Sequence, residues 1–348
     1  LQPRRGPRRP PDERKTERML RKILAAASAA ALLAGPALAD LKPAVVYDLG
    51  GRFDKSFNEA AYTGAERFKA EHGVDYADFE IQNDAQREQA LRRFARRGHD
   101  PVVAIGFSHG AAVEKVAAEF PEVNFAIVDM VVDLPNVRSI LFKEHEGSYL
   151  VGVMAAMASE TGTVGFVGGM DIPLIRKFQC GYEGGVKSVS DEAEVLAQMT
   201  GDTGAAWTDP VRGGEIAKSQ IDRGADVIYH AAGGTGIGVI QAAADAGELA
   251  IGVDSNQNGL APGHVLTSML KRVDVAVYEA FEDVMEGEWT TGVQVLGLAE
   301  GGVGYAMDEH NADLVSADMK AAVEAAAEAI KSGEVVVHDY MSDSSCPY

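Results

Sequence analysis

Three shortages narrow what this chain can do. It has only two cysteines, Cys180 and Cys346, too few for a disulfide framework or a structural zinc site. Whether the two pair or stay free is open at the level of sequence. Cations are scarce as well: 32 Lys and Arg face 52 Asp and Glu, a net of −20. Such a surface repels phosphate backbones and anionic lipid, which disfavours a nucleic-acid or membrane-surface role. Beyond residue 40, no apolar run approaches the ~20 residues of a transmembrane helix. A nucleotide-binding P-loop is missing too. The glycines from Gly233 to Gly238 are not followed by the required Lys-Ser or Lys-Thr pair.

What is present begins with a leader. Residues 1–18 are rich in Arg and Pro without apolar periodicity and read as an upstream extension of the natural start at Met19. Residues 19–39 have the form of a secretory signal peptide: Arg21 and Lys22, then an Ala-rich apolar run, then Ala37-Leu38-Ala39 before Asp40. No cysteine stands at that cleavage point, so a soluble, periplasmic mature protein without a lipid anchor is expected. Residues 1–39 hold 9 basic and 3 acidic side chains, so the remainder carries 23 against 49, a net of −26.

From Asp40 onward, short β-branched runs alternate with helical patterns. Strands are expected at 44–49, 78–82, 102–106, 125–131 and 137–142, with helices at 56–71, 84–97 and 110–120. Several strands are continuous hydrophobic runs, as in a parallel sheet covered by helices on both faces. A second series follows from 147 to 253, and a helical tail lies at 313–332. The fold class is therefore α/β, with two lobes of about five strands each. Ligands of open α/β sheets sit at the carboxyl ends of the strands. There this chain carries Gly50-Gly51-Arg52-Phe53-Asp54-Lys55-Ser56-Phe57-Asn58, then Gly106-Phe107-Ser108-His109-Gly110, Asp129, Gly233-Gly234-Thr235-Gly236 and Asp254-Ser255-Asn256.

These segments resemble the basic membrane protein family of ABC-transporter substrate-binding proteins, which includes the purine nucleoside receptor lipoproteins. The resemblance rests on Asp54-Lys55-Ser56-Phe57-Asn58 and on residues 126–129, 146–152, 164–170, 232–236, 251–254 and 265–272, all in order, and it spans about 43 to 337. It implies a periplasmic-binding-protein type I fold, with two lobes joined by three crossovers near 142–147, 259–266 and 296–304. The first lobe would hold 40–142 plus 267–296, and the second 147–262 plus 304–348. It further implies a purine base stacked between aromatic rings, from Phe57 or Phe53 in one lobe and Phe178 or Trp207 in the other. Asp129 would bond the purine edge, with Asp54 and Asn58 close by. Asp254, Lys271 and the Gly233 backbone would hold the ribose. The implied partners are a small-molecule ligand and an inner-membrane ABC permease, with no cofactor or metal and no catalysis.

Each residue also has a plainer reading. Phe57 and Phe178 could be core aromatics, Lys271 a solvated cation, and Trp207 packing within its lobe. Asp129 and Asp254 end strands, where aspartate often caps a helix or forms a turn. The rival of another class is a serine hydrolase. Gly106-Phe107-Ser108-His109-Gly110 fits the G-x-S-x-G elbow, and Asp254 and His264 follow in the right order. A ligand sensor that feeds no transporter is the third reading.

Overall fold

A computed structural model describes residues 41–348; the leader assigned to 1–39 lies outside them. The first sheet starts from β1 (Ala44–Tyr47), entirely buried because it is apolar on both faces. Next come α1 (Phe57–His72), β2 (Ala77–Glu80), α2 (Ala85–Arg96), β3 (Val102–Ala104), α3 (Gly110–Glu119), β4 (Phe125–Val128) and β5 (Val137–Phe142). The second series is α4 (Glu144–Ala158), β6 (Thr163–Met170), α5 (Pro173–Val189), β7 (Glu194–Gly201), α6 (Pro210–Ile221), β8 (Val227–Ala231), α7 (Gly236–Ala246) and β9 (Leu249–Asp254). Then follow β10 (Val265–Lys271), α8 (Val273–Glu286), β11 (Gly292–Leu296), β12 (Val303–Tyr305) and α9 (Ala317–Lys331). Helix starts follow local chemistry. Pro173 and Pro210 open α5 and α6, Asp209 accepts the Arg212 N–H at 2.9 Å, and Ser316 accepts that of Met319 at 3.1 Å.

Both sheets have six strands, one more each than the pattern suggested. Their orders are β11-β5-β4-β3-β1-β2 and β12-β10-β9-β8-β6-β7. All pairings are parallel except that of β12 with β10. The sixth strand of the first sheet is β11; β10 and β12 complete the second.

One expected boundary moves. Strand β10 joins the second sheet, with Met269 paired to Val253 and Leu270 to Asp254. The return to the first lobe therefore falls at 271–273 rather than 259–266. Gly259, Pro262 and Gly263 mark a loop, but loop residues do not say which sheet the next strand joins; the hydrogen-bond register does. After that crossover, α8 packs back on α1. The approach is so close that a Cβ on Gly64 would collide with the Asp274 backbone. The chain also passes between the sheets at 142–144 and 296–303. All three lie side by side: the Lys143 N–H donates to Leu296 O at 3.0 Å, and the Arg272 N–H to Gly302 O at 2.8 Å.

Candidate functional site

In each sheet, chain order reverses beside one strand, between β1 and β3 in the first and between β6 and β8 in the second. Crevices open at such points. The carboxyl ends of both sheets face one cavity, at the place where ligands of open α/β sheets sit. Asp54, Phe57, Asn58, Asp129, Phe178, Trp207, Gly233, Asp254 and Lys271 all line it.

Two of those nine are consumed by the fold. The Asp54 carboxylate accepts backbone N–H bonds from Ser56 (2.9 Å), Asn58 (3.0 Å) and Glu59 (3.0 Å), plus the Asn58 amide at 3.1 Å. Four donors fill both oxygens, so Asp54 caps α1 from two residues before Ser56. Burial still pushes its pKa up, against the pull of those bonds. The Asn58 Oδ1 in turn accepts the Asp48 N–H at 2.9 Å. Together they pin the β1–α1 loop and present Phe57 to the cavity. Phe53 is 61% exposed, meets Tyr62 edge-on and is not part of the cavity lining, whereas Phe57 is.

Behind the cavity lies a buried charge cluster. The Lys271 ammonium donates to Asp129 Oδ2 at 2.7 Å and sits 2.9 Å from Glu144 Oε1. Glu144 Oε2 is 2.9 Å from the Lys177 ammonium. The Lys271 Nζ lies 5.1, 5.2 and 5.6 Å from the ring centres of Phe57, Phe142 and Phe178, a cation–π environment. Burial works to lower the Lys271 pKa, but Asp129, Glu144 and Asp254 hold it above its ordinary value. Burial raises Asp129 despite the nearby Lys271. The other oxygen of Asp129, Oδ1, is buried and has no hydrogen-bond partner.

Asp254 stands across the cleft. Its Oδ2 accepts the Ser56 hydroxyl at 2.5 Å, a bond between lobes. Burial pushes its pKa up to about 7, with Lys271 opposing. Asp129 and Asp254 both have left-handed backbones, φ 67° and 64°, which non-glycine residues adopt rarely and often at functional sites. Neither carboxylate caps a helix: Asp129 holds Lys271, and Asp254 holds Ser56. On the same lobe, the Trp207 ring lies so close over Gly169 that a Cβ there would penetrate it. Gly233, at φ 56°, lets the β8–α7 turn reach the cavity beside it.

The family model for ABC transporter substrate-binding proteins of the PnrA-like type, Bmp, matches residues 42–339. The chain belongs to the Bmp family. It is 39% identical to an uncharacterized lipoprotein of Pyrococcus furiosus over 76% of this chain and 70% of the relative. It is 33% identical to the ABC transporter nucleoside-binding protein BmpA of Lactococcus lactis, over 82% of this chain and 87% of that one. Among solved structures, an ABC-transporter solute-binding protein of Aeropyrum pernix superposes with a TM-score of 0.78 at 33% identity, covering 86% of this chain and 94% of that one.

Bmp-family membership brings a small-molecule ligand and a permease partner, and a type I two-lobed fold. Among the described residues, no helix is long and apolar enough to cross a membrane, and no cluster of metal-ligating side chains occurs. The hydrolase triad is not assembled. Asp254 is bonded to Ser56, His264 faces the Glu248 carbonyl at 3.3 Å, and Ser108 lines a separate groove.

Eight further residues line the cavity, and two of them, Phe107 and Asp48, bring an aromatic ring and a charge that the sequence reading did not assign to the site. Phe107 belongs to the segment read for its serine, and Asp48 directly ends β1, ahead of the glycines that drew notice. Asp48 Oδ1 accepts the Leu49 N–H and the buried Arg87 guanidinium, each at 2.7 Å. Burial nevertheless raises its pKa. Gly106, at φ 105°, leaves room for its carboxylate. The available signal was an aspartate one residue past an apolar strand, beside a glycine pair.

Proposed function

We propose that this Bmp-family protein captures a purine nucleoside in the periplasm and passes it unchanged to an ABC permease. The observation that carries the reading is Asp129 Oδ1, a buried acceptor with no partner at the wall of an aromatic cavity. An unmet buried acceptor costs roughly 1–3 kcal/mol, which a ligand N–H would offset. Phe57 and Phe107 from one lobe, and Phe178 and Trp207 from the other, line the cavity and supply the aromatic rings on which a planar base would stack. Stacking on such a face is worth about 1–3 kcal/mol. Asp254 would accept sugar hydroxyls at the far end of the site.

Charge favours a nucleoside over a nucleotide. Among the described residues Lys271 is the one cation lining the cavity, and Asp129 and Glu144 already neutralise it. A phosphate would face Asp48, Asp129 and Asp254 without a free counter-ion. The experiment is calorimetry with adenosine, guanosine and inosine, their monophosphates, free ribose and riboflavin. Nucleosides are expected to bind at least tenfold tighter than monophosphates or ribose. Three silent nucleosides beside a bound sugar or riboflavin would refute the ligand while leaving the family intact. Esterase activity abolished by Ser108→Ala would refute the binding role itself.

A further inference from the structure

Glu144 does not line the cavity, yet it is 1% exposed and meets two ammonium groups. It is the first residue of α4, just past the 142–144 crossover, and Lys271 is the last residue before the 271–273 crossover. Asp129 ends a first-lobe strand, while Lys177 belongs to α5 of the second lobe and donates to Phe142 O at 2.7 Å. The chain Asp129–Lys271–Glu144–Lys177 therefore runs from one lobe to the other through two crossovers.

The four groups are two cations and two anions, a neutral buried set. A lysine ammonium is a point charge with three donors on a flexible stem, and without a second acceptor it is free to swing between the two oxygens of one carboxylate. Here Lys271 reaches only Asp129 Oδ2, and its next contact is Glu144. We propose that Glu144 is a positioning residue for ligand binding: by sharing the Lys271 ammonium, it keeps Asp129 Oδ1 free for a ligand donor. Lys177 anchors Glu144 from behind, and Asp339 of the tail stands 3.8 Å from Lys177. The inference rests on Asp129 being a ligand contact, as proposed above.

The other groups around Asp129 do not supply this restraint. Asp254 on β9 is bonded to Ser56. The neighbouring His145 on α4 has its pKa lowered by burial and by Lys177, so it stays neutral near pH 7. Among the described residues, only Glu144 competes with Asp129 for Lys271 at ion-pair distance.

Two variants and two readouts test it. Glu144→Gln removes the competing charge, and Glu144→Gln with Lys177→Met does so while leaving the remaining Asp129–Lys271 pair neutral, which protects folding. Both are expected to weaken binding of the nucleosides that the wild type binds by at least tenfold. Glu144→Gln added to Lys271→Met is expected to weaken binding no further than Lys271→Met alone. The second readout needs no ligand: the carboxyl ¹³C of Asp129, followed by NMR titration, is expected to titrate at lower pH in both Glu144→Gln variants. A nearby negative charge is gone and Lys271 closes on Asp129, and both effects favour the ionised form; loss of the Lys177 charge opposes them in the double variant, whose shift is expected to be the smaller. An unmoved Asp129 titration overturns the inference, whether or not nucleosides bind. A wild type that binds no nucleoside refutes the ligand reading instead, and the titration still decides on Glu144. Affinity within twofold of wild type in both variants also overturns it.

Discussion

Asp129 and Asp254 face the cavity from opposite lobes, each held in a left-handed backbone by the strand it ends. Replacing Asp129 by Asn keeps its shape but weakens a charge-assisted acceptor. Such bonds are worth about 1.5–3 kcal/mol, so nucleoside affinity is expected to fall roughly ten- to a hundredfold. If the aspartates were only turn formers, thermal melts would drop while the ligand-induced shift survived. Asp254 adds a pH signature. Its pKa of about 7 lies far above the ~3.9 of an exposed aspartate. Between those values the native protein holds a proton that the unfolded chain has lost, so stability without ligand declines as pH rises from about 4 to 7. Sugar hydroxyls need the ionised acceptor, so affinity climbs across the upper part of the same interval. Opposite slopes from one residue are the expected result, and Asp254→Asn flattens both. Calorimetry and urea unfolding between about pH 5 and pH 8 would detect them; equal affinity at both ends would exclude an ionising acceptor.

Helix α5 gathers three functions on one element. Lys177 anchors Glu144, Phe178 lines the cavity, and Cys180 is bonded to Cys346, 166 residues later. The disulfide ties the last residues of the chain to this helix, with the Tyr348 ring packed against Gly184. Closing so long a loop restricts the unfolded chain, and native disulfides contribute about 2–4 kcal/mol. Cys346→Ser, or reduction, is expected to lower unfolding stability by an amount in that range. Urea curves with and without reductant are the measurement. Superimposed curves would mean that the bond adds nothing. The pairing was open in the sequence because two cysteines carry no signal about distance. The packing of the tail on α5 brings their Cα atoms to 5.6 Å.

At the scale of the whole molecule, hydrogen bonds bridge the two lobes across the cleft. The Ser56 hydroxyl meets Asp254, the Ser255 hydroxyl donates to Ser56 O at 2.7 Å, and the Gln257 amide donates to Lys55 O at 2.9 Å. These sit at the cleft, whereas Glu144 and Lys271 sit at the crossovers. A ligand enclosed this way leaves only when the bonds break, so they act on residence time. Ser56→Ala is expected to raise the dissociation rate about tenfold or more with little change in association. That is the consequence of losing a bond to a charged acceptor worth about 1.5–3 kcal/mol. Stopped-flow fluorescence of Trp207, which lines the site, would follow it; an unchanged dissociation rate would mean that closure does not depend on this contact.

Apolar runs and glycine-rich strand ends were enough to read two helix-covered parallel sheets, because burial on both faces leaves a continuous local signal. The resemblance also pointed to nine residues that the fold brings to one cavity. Local signals end where partners are distant in sequence. Nothing near Glu144 announces that Lys177 and Lys271 will meet on it. Likewise, a loop of Gly and Pro before Val265 is equally compatible with joining either sheet. Those outcomes depend on hydrogen-bond register and on charges brought together from 33 and 127 residues away. The tertiary structure decided them because a buried charge takes whichever partner packing places beside it.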